Sequence, residues 1–283
     1  YSFVSPQIIK RFNDDISKYI ELDNPLSRER PYLRRHLVNN LLENIIKNVD
    51  NNQTLKIFEI GKTFIIEQSG QRAKMNSDEL LPRQDTWIGA VYLNKKNQNI
   101  FFEAKRAMEV IFHETGYDFR AVPAKEILPW QNPVKTASVM IGDTEVGYVY
   151  TLHPSVARSF GLEWEVGVVE INLNKIVDLP KHSKAYKSVP EFPPVERDLA
   201  ILIKKQFSHE EILNTLLGTE PLLEAVELFD VYEGKNIDAN HKSMAYRFVY
   251  RNPERTLIAE EADKAQEKII KLLKDKFGAE VRK

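Results

Sequence analysis

Four prolines fall within DLPKHSKAYKSVPEFPPVERD, at positions 180, 190, 193 and 194. Proline lacks an amide N–H and fixes φ, so neither a helix interior nor a central strand can run through such a stretch. Residues 178 to 198 therefore read as an extended connector. A chain of 283 residues must then build its core as two bodies, and each has enough length to bury one.

After the connector the pattern is short and regular. DLAILI reads as a strand. SHEEILNTLLG reads as a helix with Ser208 as N-cap and Glu211 three residues on, the spacing of a capping box. AVELFDVYE is a second strand, and SMAYRFVYR, 243 to 251, alternates strictly. Its Met244, Tyr246, Phe248 and Tyr250 form an apolar face, leaving Ser243, Ala245, Arg247, Val249 and Arg251 opposite. A helix over AEEADKAQEKIIKLLKDKFG and a short strand AEVR complete the order β-α-β-β-α-β, the ferredoxin-like split motif. Two helices cover one face of such a sheet and leave the other open.

Before the connector, helices and antiparallel strands mix. PYLRRHLVNNLLENIIKNV carries Leu37, Leu41, Leu42, Ile45, Ile46 and Val49 on one helical stripe. LKIFEIGKTFII reads as a strand pair, TWIGAVYL and VGVVEINL as single strands, and SGQRAKMNSDELLPRQD, 69 to 85, as a long surface loop. FFEAKRAMEVIFHETG is a helix that stops at Gly116, and ASVMIGDTEVGYVYTL a hairpin turning at Gly142-Asp143. The fold class is α+β throughout, on largely antiparallel sheets.

Composition narrows the chemistry. The chain has no cysteine, so disulfides, thiolate metal sites and a cysteine nucleophile are excluded. No apolar segment is long enough to span a bilayer and YSFVSPQIIK is no signal peptide, which makes the cytoplasm the default with no membrane partner. A first residue other than Met reads as a piece of something longer, and the sequon at Asn52 as chance. Net charge is −1, and the chain after residue 188 holds 15 basic and 18 acidic residues. RNA contact would have to come from a local patch.

Several motifs fail on spacing. Gly61-Lys62-Thr63 resembles the end of a phosphate loop, but Lys56 stands where that loop needs glycine. The histidines at 36, 113, 153, 182, 209 and 241 have no metal-ligand spacing. No segment arranges a nucleophile, a base and an oxyanion hole.

An ordered series of longer segments does hold. YSFVSP, NPLSRERPYLRRHLVNNLLE, LKIFEIGKTF, TLHPSVARSFGL, PEFPPVERDLAILI, LFDVYEG, KSMAYRFVYR and RTL together resemble the C-terminal part of the bacterial phenylalanine–tRNA ligase β-subunit family. The resemblance implies a synthetase-like but non-catalytic module over 1–185 and a ferredoxin-like anticodon-binding domain over 190–283. It implies an α2β2 assembly with a catalytic α subunit, tRNA(Phe) as ligand, and ATP and magnesium as needs of the holoenzyme rather than of this fragment.

Chemistry agrees with the non-catalytic reading. Activating an amino acid with ATP takes arginines preorganised where phosphate charge builds up. Where the sister catalytic subunits carry the first, this chain has Phe64-Ile65, and GVVEINLNKI holds no Glu-Arg pair. Arg34 and Arg35, near a helix start that disfavours cations, are expected in an ion pair within the domain or at a subunit interface. On the resemblance, the anticodon contacts fall on Asp230, Tyr232 and Ser243, with Lys242, Arg247, Arg251 and Arg255 supplying positive charge. The expected layout puts Phe229 and Val231 in the core with Tyr246 and Phe248. Asp230 and Tyr232 then share the open face with Ser243 and Arg247, an arrangement able to stack and hydrogen-bond unpaired bases. Two rivals are a regulatory synthetase paralogue with a closed effector pocket in 1–180, and a ferredoxin-like protein-interaction module with an apolar open face.

Overall fold

The computed structural model describes residues 2–75, 78–97, 99–181 and 188–282. Of the connector expected at 178–198, residues 182–187 (His182 among them) lie outside the described residues, as do 76 and 77 of the loop expected at 69–85. Two units emerge, Tyr1–Ala185 and Tyr186–Lys283.

In the first unit, β1 (Phe3–Val4) is followed by α1 (Pro6–Arg11), β2 (Tyr32–Leu33), α2 (Val38–Asn48), β3 (Thr54–Arg72), β4 (Leu80–Asn94) and α3 (Ile100–Thr115). Next come β5 (Arg120–Pro123), β6 (Gln131–Ile141), β7 (Thr144–Leu152), α4 (Pro154–Ser159) and β8 (Val166–Asn172). Six strands form one antiparallel sheet in the order β3-β4-β8-β7-β6-β5. Ile100, Ala104, Met108 and Phe112 recur at helical spacing on α3 and are all buried. That stripe packs on one face with Val139, Val149, Val169 and Ile171. The helix ends at Gly116, whose φ of 78° is the left-handed cap glycine adopts without strain. On the other face α1 and α2 bury Ile9, Leu42 and Ile45 with Val91, Val168 and Tyr150.

Three expectations change here. LKIFEIGKTFII is one strand, because Gly61 and Lys62 pair with Trp87 and Thr86 instead of turning. Much of the loop expected at 69–85 is strand, since β3 runs to Arg72 and β4 starts at Leu80. This far end of the ribbon is mostly exposed, so no buried face imposed an alternating pattern on its sequence. The helix read from residue 31 begins only at Val38, because Tyr32 and Leu33 pair with Val4 and Phe3.

The second unit runs β9 (Val195–Lys204), α5 (His209–Leu216), β10 (Leu223–Tyr232), β11 (His241–Tyr250), α6 (Ala259–Phe277), β12 (Glu280–Val281). Its sheet order is β10-β11-β9-β12, all antiparallel. Met244, Tyr246, Phe248 and Tyr250 meet Leu199, Ile201 and Ile203 beneath Ile212, Leu216, Ala265, Ile269 and Leu273 of the two helices. The capping box at Ser208 and Glu211 is formed. Among the described residues no helix is long and apolar enough to cross a membrane.

Candidate nucleic-acid interface

Strand alternation turns the odd-numbered residues of β11 away from both helices. The register sets Tyr232, Ser243 and Leu202 abreast, then Asp230, Ala245 and Ala200, then Glu227, Arg247 and Asp198. Asp230, Tyr232, Ser243 and Arg247 thus share the open face, where alternation placed them.

Phe229 does not behave as expected. Leu228 pairs with Tyr246 and Asp230 with Ala245, so Phe229 is the extra residue of a β-bulge. Leu228 takes the core position assigned to Phe229, and Phe229 is 52% exposed. Its ring lies on the open side, with the Arg247 guanidinium 5.7 Å from its centroid. Val231 pairs with buried Met244 on the core side yet remains 47% exposed. A bulge shifts the period by one, and an alternating pattern carries no mark of it.

The cations are already engaged. Arg247 donates from Nε and Nη2 to both oxygens of Asp198, at 2.9 and 3.0 Å. These hydrogen bonds push the Arg247 pKa up and hold Asp198 below the usual carboxylate range. Arg251 donates to Glu224 at 2.7 Å and to the Phe192 carbonyl. Arg255 forks onto Glu261, and its hydrogen bonds lower that carboxyl to about 2. Lys242 needs a correction of face. It pairs with core residue Ile203, so it lies on the helix side near Glu211 and Glu233, where burial lowers its pKa against their attraction. The positive patch expected from Lys242, Arg247, Arg251 and Arg255 is therefore dispersed.

Tyr232 is 41% exposed. Its hydroxyl lies 2.2 Å from where a Cβ on Gly234 would stand, so only glycine leaves room for the ring there. The Arg282 guanidinium sits 5.4 Å from the ring centroid. Ser243 is 5% exposed between Tyr232 and Leu202. Carboxylates of Glu196, Asp198, Glu227 and Asp230 outnumber Arg247 and Arg282 here. Such a face repels phosphates and accepts hydrogen bonds from N–H donors, which bases present on their edges. Phe229, Asp198 and Arg282 were missed from sequence. Asp198 alone was legible, as the residue opposite Leu199 in the alternation of β9.

The first unit has a polar face of its own. Glu59, Gly89, Glu170, Tyr148 and Ser138 form one cross-strand row. Arg34 crosses it, 2% exposed, with Nη1 on Glu59 at 2.7 Å and Nε on the Lys62 carbonyl at 2.9 Å. A Cβ on Gly61 would stand 2.3 Å from Arg34 Nη2, and one on Gly89 2.8 Å from Leu37 Cβ. The segment Arg34–Leu37 therefore fills the space over both glycines. Arg35 pairs with Glu67 at 2.7 Å and donates to the Lys18 carbonyl. Both arginines are held in ion pairs inside this unit. A face plugged by the chain's own residues, with buried Glu170 at its centre, does not fit a triphosphate with its magnesium. Among the described residues no cluster of three or more His, Asp or Glu side chains is placed to hold a metal ion.

Residues 1–173 match the family described as the phenylalanyl tRNA synthetase beta chain CLM domain. Residues 190–282 match the ferredoxin-fold anticodon binding domain. Similar curated proteins include the phenylalanine–tRNA ligase beta subunits of Streptococcus thermophilus (34% identical), Streptococcus agalactiae (33%) and Clostridium acetobutylicum (30%). Each similarity covers 100% of this chain and 35 or 36% of the relative, so the chain spans about a third of their length. Among solved structures, a pyrrolysyl tRNA synthetase of Desulfitobacterium hafniense superposes on 62% of this chain and 59% of its own, with a TM-score of 0.48 and 14% identity.

Proposed function

The chain belongs to the phenylalanyl tRNA synthetase beta chain family, and from that premise we propose that it binds the anticodon of tRNA(Phe) on the open sheet face of its second unit. In the same reading the first unit is a non-catalytic scaffold for a catalytic α subunit in an α2β2 ligase. ATP and magnesium then act at the partner's centre. Domain limits of 1–185 and 190–283 belong to this reading, as do the roles of Asp230, Tyr232 and Ser243.

One observation carries it. An exposed aromatic ring, a carboxylate and a serine hydroxyl share one open face inside a unit that matches an anticodon-binding family. The core of a protein-docking face is depleted of charged residues, whereas this face carries four carboxylates.

Aminoacylation by the assembled ligase tests the reading. Stacking one base on an aromatic ring is worth about 1–3 kcal/mol. Tyr232→Ala should therefore lower kcat/KM for intact tRNA(Phe) about 5- to 150-fold by that measure, and Tyr232→Phe should keep most of it. Ser243→Ala should cost about 1 kcal/mol, the net value of one hydrogen bond. Anticodon-substituted tRNA should be much less sensitive to either change. Equal losses on both tRNAs would remove the anticodon from this face.

A further inference from the structure

The bulge at Phe229 gives the open face a second ring. Phe229 projects from β10 three residues before Tyr232, and Arg247 lies over it in a fixed plane because Asp198 holds two of its nitrogens. We propose that Phe229 and Arg247 form a second base-stacking subsite, separate from that of Tyr232, so that the face seats two splayed bases of one RNA single strand with a nucleotide between them. This inference rests on the anticodon reading above and deepens it.

Spacing decides that the two bases are not stacked on one another. Strand residues rise about 3.3 Å each, so the three residues from Phe229 to Tyr232, less the part of a step that the bulge absorbs, set their backbone positions roughly 7–10 Å apart. Successive stacked bases lie only about 3.4 Å apart. Two adjacent bases in a stack therefore cannot occupy both rings, whereas splayed bases of a single-stranded loop can. Between the rings lies the row of Asp230, Ala245 and Ala200, which has no aromatic ring. A middle nucleotide there gains no aromatic stacking.

The Phe229 position also has what a base edge needs. A guanidinium locked in a plane is a stacking surface for bases as well as a donor. Glu227, the cross-strand partner of Arg247, offers a carboxylate acceptor on the same side. Arg247 is thus a positioning and stacking group here, and its charge is balanced by Asp198 and by Glu196 at 3.7 Å. The strand is held by its bases, with its phosphates turned to solvent.

The test measures binding of the whole chain to four fluorescent hairpins carrying the anticodon loop. One is intact, and each of the others lacks one anticodon base through an abasic residue. Removing either outer base should weaken binding to the wild-type chain about 5- to 150-fold, and removing the middle base much less. Phe229→Ala should abolish the sensitivity to one outer base and leave the other intact. Tyr232→Ala should do the reverse, and Phe229→Tyr should behave as wild type. Because Phe229 is half exposed, its replacement leaves the core untouched. If Phe229→Ala weakens all four hairpins equally, or none, while Tyr232→Ala still erases one outer base, the second subsite is refuted and the anticodon reading stands. A wild-type chain indifferent to every loop base refutes both.

Discussion

Glu170 shows what a single residue can impose. Burial holds its carboxyl above the ordinary glutamate value of 4.5, against the opposing charge of His36 and a 2.8 Å hydrogen bond donated by Tyr150. Between 4.5 and its raised value the folded chain binds more protons than the unfolded one, so stability falls as pH rises through that window. Glu170→Gln keeps an acceptor for Tyr150 and removes the ionisation. The variant should gain stability over wild type as pH rises from the unfolded glutamate pKa of about 4.3 to the raised value, and the gap should close at the lower end of that window. Urea midpoints across that range check it, and carboxylates elsewhere cancel in the comparison. A constant gap at every pH would show that Glu170 does not titrate there.

At the scale of elements, helix α5 and strand β10 were unequally legible. Ser208 and Glu211 announce the start of α5, and the structure forms both reciprocal bonds, Glu211 N to Ser208 Oγ at 3.2 Å and Ser208 N to a Glu211 oxygen at 2.6 Å. Losing an N-cap hydroxyl costs about 1 kcal/mol, so Ser208→Ala should lower the unfolding free energy of the second unit by about that amount, read from its unfolding transition. Ile212 and Leu216 of this helix pack on the core side. The same variant should therefore leave the dependence of RNA binding on loop position unchanged, which the hairpin series reads directly. Strand β10 is the contrast. Its alternation is visible, but the unpaired residue that re-aims Phe229 appears only once β10 is paired with β11.

For the whole molecule, the buried clusters divide cleanly along the chain. Two lie within residues 4–176 and the third within 199–279. Each unit buries its own aromatic and aliphatic side chains, and a core that size supports independent folding. Residues 188–283 expressed alone should give a helical and sheet circular dichroism spectrum and one cooperative thermal transition. Limited proteolysis of the intact chain should release the same piece by cleavage between about 180 and 192, where the sequence is rich in proline and polar residues. A spectrum of unordered chain for the isolated piece would show that the second core needs the first.

Patterns that depend on neighbours in sequence were settled by the sequence alone. The split β-α-β-β-α-β order, the cap at Ser208, the stop at Gly116 and the core face of Met244, Tyr246, Phe248 and Tyr250 all rest on local periodicity or turn chemistry. The open face of Asp230, Tyr232, Ser243 and Arg247 followed from the same alternation. Which charges remain available was decided by tertiary structure, because Arg247 meets Asp198 across 49 residues and Arg34 lies beside Glu59 only after β3 has paired with β4. Lys242 lies on the helix side by that alternation too, since it shares the face of Met244. The second ring came from a bulge, which exists only between two paired strands. Local periodicity gives the direction of a side chain along one strand, and what it meets is fixed by the strand laid beside it.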